Sequence, residues 1–466
     1  MLRTRAGDVS LWEAVLPPEV LRLPEQLARV DALLDDPVSF VPFVPFFDPR
    51  VGRPSTPMET YLRMMFLKFR YHLGYESLCR EVSDSITWRR FCRIPIDGNV
   101  PHPTTLMKLT TRCGVAAVDG CNEALLAKAA KAKLLRTTRL RADTTVVPAD
   151  VAYPTDSGLR AKAVRRIAVT GRRIQAAGGA TRTRVRDRSR SAGKRAHGIA
   201  AKLRLRSAQG KDEAQATVAL LANARRALRR AVNDLSELLE VTRRIAAQTR
   251  QRLSGSTPPG ATRRVSLHDG DARPIAKGQL GKPVQFGYKA QVVDNDDGVV
   301  LDHTLHQGNP ADAPQLAPAV ERVMARTSRK PRTVTADRGY GEASVDNALQ
   351  ELGVRHVVIP RKGKPGKARQ AQEHRPAFRK HVKWRTGSEG RISSLKRGYG
   401  WDRTRIDGTA GAQIWTGQGV FAHNLVKIGA LASWSVPGHR STRRGSKAGY
   451  PSITGHPIFQ VEVTSH

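Results

Sequence analysis

The stretch TVTADRGYG, residues 333–341, places an aspartate at the end of a β-branched run and follows it at once with Arg-Gly-Tyr-Gly. The run predicts a buried strand, and the two glycines predict a flexible turn after it. A carboxylate near a core is costly to desolvate unless a positive charge compensates it. Asp337 therefore predicts that the rest of the chain supplies a counter-charge at the end of this strand.

Strands and helices alternate in the sequence around this stretch. Two β-rich runs within residues 283–306 flank Asp296-Asp297-Gly298, which is a hairpin signal. Residue patterns predict further helices over 313–327, 345–352 and 410–431, and further strands over 332–337 and 354–360. This alternation predicts an α/β domain with at least some parallel pairing.

Residues 55–135 have the pattern of a compact all-α domain. One helix starts with Thr56 as the predicted N-cap and with Glu59 completing a capping box. The apolar residues behind them recur at three- and four-residue spacing, which predicts one buried stripe. The basic residues predicted to lie off this stripe are Arg63, Lys68 and Arg70. A basic helical domain of this kind suits DNA binding or dimerisation.

The preceding residues, 1–54, end in FVPFVPFFDPR, which spans residues 40–50. Its prolines exclude a regular α-helix, whereas its aromatic side chains favour burial. We therefore predict an extended arm that lies along a neighbouring domain, with a partner-docking segment as the alternative.

The charge of the chain indicates a polyanionic partner. Its 79 Lys and Arg exceed its 41 Asp and Glu, and the net charge is +38. Membrane surfaces and nucleic acids both fit this charge, but no apolar run approaches the ~20 residues of a membrane span, and the start does not resemble a secretory signal. We therefore expect nucleic acid in the cytoplasm as the partner, and no membrane contact. The four cysteines are expected to be reduced core residues, with a zinc site as the alternative.

Residues 158–253 are predicted to form a basic helical insertion. The stretch 158–252 holds 25 Lys and Arg against six Asp and Glu, and its later part carries leucines at heptad-like spacing. We expect a helical hairpin whose outer face contacts DNA phosphates. The arginines predicted for that face are Arg225, Arg226, Arg229 and Arg230. A merely solvated face is the alternative, although such faces usually mix both signs of charge.

Three acidic residues form the candidate site. Asp143 ends the strand-like segment TTRLRAD, so it occupies the same kind of position as Asp337. The carboxyl ends of strands in an open α/β sheet are where active sites collect. Each aspartate alone could equally be a helix cap or a turn residue. In KWRTGSEGRISSLKRGYG, a helix would place Arg385, Glu389 and Lys396 on one face, where a plain salt-bridge ladder is the alternative.

Three carboxylates from separate segments of a basic protein suggest hard divalent cations. Magnesium prefers oxygen ligands and is typically held by one or two carboxylates together with water or phosphate oxygens. Two such ions can activate a nucleophile on one side of a phosphodiester and stabilise the leaving oxygen on the other. We expect two Mg²⁺ ions, with Mn²⁺ as a substitute, on Asp143, Asp337 and Glu389.

Several motifs resemble the DDE transposases of bacterial insertion sequences, in particular the ISNCY and InsH-like groups. The matching pieces are RADTTVV, GYKAQVVD, GNPADAP, TADRGYG and SEGRISSLKRGYGWDRTRIDG, with the helical YLRMMFLKFRYHLGYESLCREV in the amino-terminal position. The resemblance implies a ribonuclease-H-like catalytic fold with Asp143, Asp337 and Glu389 as metal ligands. It also implies that Arg385 and Lys396 contact DNA phosphates near the cut.

The same helical segment contains Arg391 and Arg397, which we also expect to contact DNA. The family signature has a tyrosine three positions before Arg385, whereas this chain has Val382, with Trp384 as a candidate substitute.

The resemblance implies hydrolysis at the ends of an insertion sequence and attack of the freed 3′-hydroxyls on target DNA. It further implies double-stranded DNA as the partner, namely the element's terminal inverted repeats and target DNA. We also expect a homodimer in the active complex and a cytoplasmic, nucleoid-associated protein. A non-catalytic architectural DNA-binding protein and a nuclease that never joins strands are the alternatives.

These predictions define an α/β chain with a ribonuclease-H-like catalytic domain, a large basic helical insertion and a preceding all-α domain. The predicted divisions are an arm 1–54, a helical domain 55–135, a catalytic domain 136–157 and 254–433, an insertion 158–253 and a disordered tail 434–466.

Overall fold

The computed structural model describes residues 1–7, 15–152, 154–176, 187–204, 234–279 and 282–432 of the chain. The fold is mixed α/β, with a helical amino-terminal region followed by a six-stranded sheet and further helices. The amino-terminal helices are α1 (Pro18–Leu21), α2 (Glu25–Leu34), a 3₁₀ helix (Pro37–Phe46), α3 (Met58–Arg70), α4 (Tyr75–Asp84), α5 (Ile86–Phe91) and α6 (Pro103–Lys131).

The sheet has the order β2-β3-β1-β5-β6, and β4 also pairs with β3. Its strands are β1 (Arg139–Pro148), β2 (Arg273–Gln279), β3 (Lys282–Asp294), β4 (Val300–Gln307), β5 (Thr333–Thr335) and β6 (His356–Val358). β3 is antiparallel to β1, β2 and β4, whereas β5 is parallel to both β1 and β6. The predicted hairpin and the predicted parallel pairing are confirmed, while β2 was not predicted.

The other helices lie in two stretches of the sequence, one between β1 and β2 and one after β4. Between β1 and β2 come α7 (Asp156–Ala176), α8 (Ser189–Arg204) and α9 (Asp234–Leu253). After β4 come α10 (Ala313–Thr327), a second 3₁₀ helix (Arg338–Tyr340), α11 (Ala343–Glu351), α12 (Lys367–His374), α13 (Pro376–Arg385), α14 (Gly387–Gly398) and α15 (Gly408–Ala432). The predicted helices over 313–327, 345–352 and 410–431 are therefore confirmed. None of the helices described is long and apolar enough to cross a membrane.

Helices α7, α8 and α9 share a small core of their own, in which Ala163, Ala192 and Ile245 are fully buried. The four arginines predicted to face DNA, at 225, 226, 229 and 230, lie outside the described residues. The predicted disordered tail, residues 434–466, lies outside them as well.

One hydrophobic core joins the amino-terminal helices to the sheet. Helix α15 packs against α2, α3, α6 and β4, and sixteen of its residues are buried. All four cysteines are free and buried, as predicted. The change from helices to strands near residue 135 is therefore not a break in the core, and the amino-terminal helices directly support the sheet.

The predicted extended arm is wrong, because residues 25–46 form α2 and a 3₁₀ helix. Proline fixes φ near −65°, which lies within the 3₁₀ range, so Pro42 and Pro45 fit this helix although they would break an α-helix. With three residues per turn, Phe40 and Phe43 lie on one side of the 3₁₀ helix, and both are buried in the main core.

The predicted capping box of α3 is also wrong. Thr56 does not cap the helix; instead the backbone N–H groups of Met58 and Glu59 donate to the carbonyls of Arg3 and Thr4 at 2.9 and 3.0 Å. The first residues of the chain thus supply the acceptors that the helix start requires.

Helix α3 is buried on every side from Met58 to Phe69, so the prediction that Arg63 and Lys68 lie off a buried stripe is wrong. Arg63 Nε and Nη2 donate to Asp31 and Asp35 at 2.8 and 2.6 Å. The ammonium of Lys68 lies 4.1 Å from the ring centroid of Trp415, and burial lowers the pKa of Lys68 to about 7. Arg70 remains partly accessible at the end of the helix.

We predict that Arg63→Ala destabilises the protein by about 1.5–3 kcal/mol, because it removes charge-assisted hydrogen bonds to Asp31 and Asp35 and leaves them with the partly exposed Arg93 alone. The measurement is chemical denaturation followed by circular dichroism. The control is Arg80→Ala, which removes an exposed arginine of α4 and should change stability by about 0.5 kcal/mol or less. An Arg63→Ala variant as stable as the control would contradict this account.

Candidate active site

Parallel pairing of β1 with β5 brings the two aspartates together. The last paired residues are Arg141 and Thr335, and Asp143 and Asp337 each follow two residues later. Both carboxylates therefore lie at the carboxyl end of this parallel pair. Contrary to the prediction, Asp143 does not end its strand, because β1 continues to Pro148 along β3.

Glu389 lies in the first turn of α14, directly after α13. Thr386 joins the two helices with helical backbone angles, φ −56° and ψ −20°, so Arg385 and Glu389 keep the spacing of one helical turn. Arg385 Nη2 lies 3.6 Å from Glu389 Oε1, and Arg385 Nη1 donates to Asp143 Oδ2 at 3.2 Å. A single guanidinium thus connects carboxylates that are 246 positions apart in the sequence.

The pKa of Asp143 depends on the charges of the other two predicted carboxylates. Burial raises the pKa of Asp143 to about 6, Arg385 opposes this rise, and the charges of Asp337 and Glu389 add to it. Asp143 is almost fully buried, whereas the side chain of Glu389 is 69% exposed. The strand pairing and these charges therefore place Asp143, Asp337 and Glu389 in one neighbourhood, although not at metal-binding distance from one another.

Each carboxylate already has a partner. Asp143 Oδ1 accepts from the Thr144 N–H and Asp337 Oδ1 accepts from the Gly339 N–H, both at 2.8 Å. Glu389 pairs with Arg385, as described above. Within the described ranges, no group of three acidic, histidine or cysteine side chains is close enough to hold a metal ion as it stands.

Asp312 is a fourth carboxylate of the site, which the sequence reasoning missed. A Cβ added to Gly339 would lie 3.0 Å from Asp337 Oδ1 and 3.1 Å from Asp312 Oδ2, so both carboxylates border the same small space. Asp312 Oδ1 lies 2.8 Å from Lys289 Nζ, which provides its counter-charge. The available signal was the motif GNPADAP, residues 308–314, in which Asp312 immediately precedes α10.

Tyr340 forms the buried wall behind these carboxylates. Its hydroxyl accepts from Gln291 Nε2 at 3.0 Å. Burial raises the pKa of Tyr340 well above its usual value, and Asp312, Asp337 and Asp143 raise it further. The Tyr340 hydroxyl therefore stays protonated and adds no further negative charge to the site.

The predicted DNA-binding residues of α14 lie in different environments. Arg391 is largely buried, and its Nε donates to Asp294 Oδ2 at 3.3 Å. Asp294 also accepts two hydrogen bonds of 2.8 Å from Arg141, so Arg391 belongs to a buried ion-pair network. Lys396 is partly buried and Arg397 is exposed. Burial, helped by Lys277, lowers the pKa of Lys396 to about 8.

Trp384, the candidate substitute for the signature tyrosine, packs against β1. The guanidinium carbons of Arg139 and Arg141 both lie 4.8 Å from its ring centroid. The Trp384 carbonyl accepts from Arg141 Nη1 at 3.1 Å. These contacts attach α13 to β1 and so help to fix Arg385 beside Asp143.

Two families of known proteins match the chain. One is described as a Transposase domain (DUF772) and matches residues 18–112; the other is described as a Transposase DDE domain and matches residues 260–425. A comparison with curated proteins found no match, and neither did a comparison with solved structures. The two matched regions cover the helical amino-terminal region and the part of the sheet and helices that carries Asp337 and Glu389. Together, the two matches support a DDE transposase of insertion sequences.

Proposed function

We propose that the protein catalyses metal-dependent cleavage at the ends of an insertion sequence and transfer of the freed strands into target DNA. The observation that carries this proposal is that Asp143 and Glu389, from separate segments, meet at the guanidinium of Arg385, while the charge of Asp337 acts on Asp143 from a third segment. We infer that the sheet is a ribonuclease-H-like sheet, since the mixed order β2-β3-β1-β5-β6 is consistent with that fold.

The oxygen donors of these carboxylates suit divalent cations, although the carboxylates do not form a complete set of metal ligands in this structure. All of their donor atoms are oxygens, which Mg²⁺ and Mn²⁺ prefer. We infer that Asp143, Asp337 and Glu389 would hold two Mg²⁺ ions, with Mn²⁺ as a substitute. Bound cations would activate the attacking oxygen and stabilise the leaving oxygen of a phosphodiester.

Arg385 holds Asp143 in a defined position. Asp143 is buried and its pKa is about 6, so it is largely ionised near neutral pH even though burial disfavours the charge. Arg385 offsets part of that cost through its 3.2 Å hydrogen bond. We infer that Glu389, which is exposed and whose contact with Arg385 is longer, is the ligand that moves to complete the set.

Cations around the carboxylates would bind the DNA backbone. A guanidinium freed from Asp143 and Glu389 can donate two hydrogen bonds to a phosphate. We infer that Arg385, Lys396 and Arg397 contact phosphates near the cut. Arg391 is omitted from this set, because it pairs with Asp294 inside the protein.

Cleavage would release a 3′-hydroxyl, which would then attack a second phosphodiester in target DNA. Both steps exchange one P–O bond for another, so neither a covalent protein intermediate nor a nucleotide cofactor is required. We propose that two copies of the chain act together as a homodimer, one at each terminal inverted repeat.

The two alternatives differ from this proposal in measurable ways. An architectural DNA-binding protein would bind DNA without cutting it, and the gathered carboxylates argue against that role. A nuclease would cut DNA but would not join pre-cleaved ends to a target, so a strand-transfer assay separates it from a transposase.

We predict that Asp143→Asn, Asp337→Asn and Glu389→Gln each abolish Mg²⁺-dependent cleavage of the element's ends, because each removes an oxygen charge that holds a cation. DNA affinity should stay within about twofold, since none of these side chains binds phosphate. Asp150→Asn, which changes an exposed aspartate paired with Arg403, is the control and should remain active. Wild-type cleavage by any one of the three variants would remove that residue from the site.

We also predict that Asp143→Asn stabilises the metal-free protein at neutral pH. The folded protein raises the pKa of Asp143 from 3.8 to about 6, so ionisation costs stability as pH rises through that interval. The gain on substitution should reach up to about 3 kcal/mol above pH 6 and should shrink toward pH 4. Denaturation curves over this pH range provide the measurement, and a variant less stable than wild type at pH 7 would contradict the account.

Replacing Arg385 should shift the pH dependence of cleavage. Because Arg385 lowers the pKa of Asp143, Arg385→Gln should raise that pKa, and the acidic limb of the pH–rate profile should move upward by about 1 pH unit. The matched control is Arg403→Gln, whose partner Asp150 is an exposed carboxylate outside the site. An acidic limb that stays in place in Arg385→Gln would show that Asp143 does not govern it.

A further inference from the structure

A basic groove lies in the helical amino-terminal region and shares no lining residue with the candidate active site. We call it the amino-terminal groove; its volume is about 610 Å³. Its walls come from the start of the chain, from residues 47–57, from residues 99–101 and from the first turns of α6. The cations that line it are Arg3, Arg53, Lys108 and Arg112, and its lining contains no aspartate or glutamate.

These four cations are available to a ligand. All four residues are exposed, and none of them forms an ion pair with a carboxylate of the described residues. The cations of a separate cavity are neutralised by contrast, because Arg322 and Arg326 both pair with Asp302, at 2.7 and 2.5 Å. The amino-terminal groove therefore keeps a positive potential that the other cavity lacks.

The walls of the groove are held in place before any ligand binds. The Arg3 N–H donates to Ser55 Oγ at 3.0 Å, and the Met58 N–H donates to the Arg3 carbonyl at 2.9 Å. On the opposite wall, Arg112 Nε donates to the Phe46 carbonyl at 3.0 Å, and its guanidinium lies 4.4 Å from the ring centroid of Phe47. Binding would therefore order few additional groups, which lowers its entropic cost.

We propose that the amino-terminal groove binds the phosphate backbone of duplex DNA, outside the place where DNA is cut. A row of unpaired cations without carboxylates suits a chain of singly charged phosphates, because each contact releases condensed counterions from the DNA. Such contacts carry no sequence information, but they fix the position of the duplex on the protein. The choice of DNA as the ligand rests on the proposed function, whereas the groove itself rests on its charge and its fixed walls.

The test compares two double variants of equal net charge. Arg53→Gln with Lys108→Gln removes two exposed cations of the groove. Arg329→Gln with Lys330→Gln removes two exposed cations from the turn between α10 and β5 and is the control. Binding to a fluorescein-labelled DNA duplex of mixed sequence is measured by anisotropy over a series of KCl concentrations.

Each lost phosphate contact lowers the slope of log K against log[salt] by about 1. The groove variant should therefore lose about 2 from its slope, whereas the control should keep the wild-type slope. Thermal unfolding verifies that both variants are folded. Should the groove variant be destabilised, Lys108→Gln alone should lower the slope by about 1, since the exposed Lys108 side chain makes no hydrogen bond within the described part of the chain.

Two results would overturn the proposal. If the groove variant keeps the slope of the control, the groove does not bind DNA; cleavage by the wild-type protein would still support the proposed function. If the groove variant loses binding to vesicles of anionic lipid but keeps its DNA slope, the groove has a different partner. Failure of the proposed function itself would appear separately, as wild-type protein that binds DNA with the expected slope and does not cut it.

Discussion

The contact of Arg385 with both Asp143 and Glu389 is the interaction on which the site depends. Carboxylates gathered in a partly buried place repel one another and raise each other's pKa. Burial, together with the charges of Asp337 and Glu389, raises the pKa of Asp143 to about 6 even with a guanidinium at 3.2 Å. A protein can keep such a group only if a cation compensates the charge, and here the chain supplies that cation itself. The same guanidinium is suited to bind phosphate once another cation takes its place.

The fold serves this arrangement by fixing three segments relative to one another. Parallel pairing of β1 and β5 sets Asp143 beside Asp337, and Trp384 attaches the helix that carries Arg385 to β1. The sheet in turn rests on the amino-terminal helices through α15. Those helices contain buried charge of their own, in which Arg63 pairs with Asp31 and Asp35. Cutting and holding DNA would thus be tasks of two regions that share one core.

The sequence predicted the parts of this structure that depend on local periodicity. Alternation and turn residues identified the hairpin of β3 and β4, and β-branched runs identified β1 and β5. Strand β2, RPIAKGQ, was missed because its proline, glycine and lysine interrupt the alternation. The 3₁₀ helix was missed because its prolines exclude an α-helix, yet they fit three residues per turn.

Contacts between residues that lie far apart in the sequence could not be predicted. Spacing along α3 places Arg63 and Lys68 off the apolar stripe, and the residues that enclose them, such as Asp31 and Trp415, lie far away in the sequence. Asp312 belongs to the motif GNPADAP, but its proximity to Asp337 arises from the approach of α10 to the turn at Gly339. Asp143, Asp337 and Glu389 were named from the strand-like runs around the two aspartates, from the helical spacing around Glu389 and from the resemblance to the DDE transposases, although Asp143 lies within its strand rather than at its end. The contact of Arg385 with Asp143 and the raised pKa of Asp143 required the structure.

The most direct test of the central claim is iron-mediated cleavage of the polypeptide backbone. Fe²⁺ with ascorbate and peroxide produces hydroxyl radicals at a divalent-cation site, and the resulting fragments are mapped by mass spectrometry. The account predicts cuts near residues 143, 337 and 389 that are suppressed by excess Mg²⁺ and lost in Asp337→Asn. Cuts confined to other segments, or an unchanged pattern in Asp337→Asn, would contradict it.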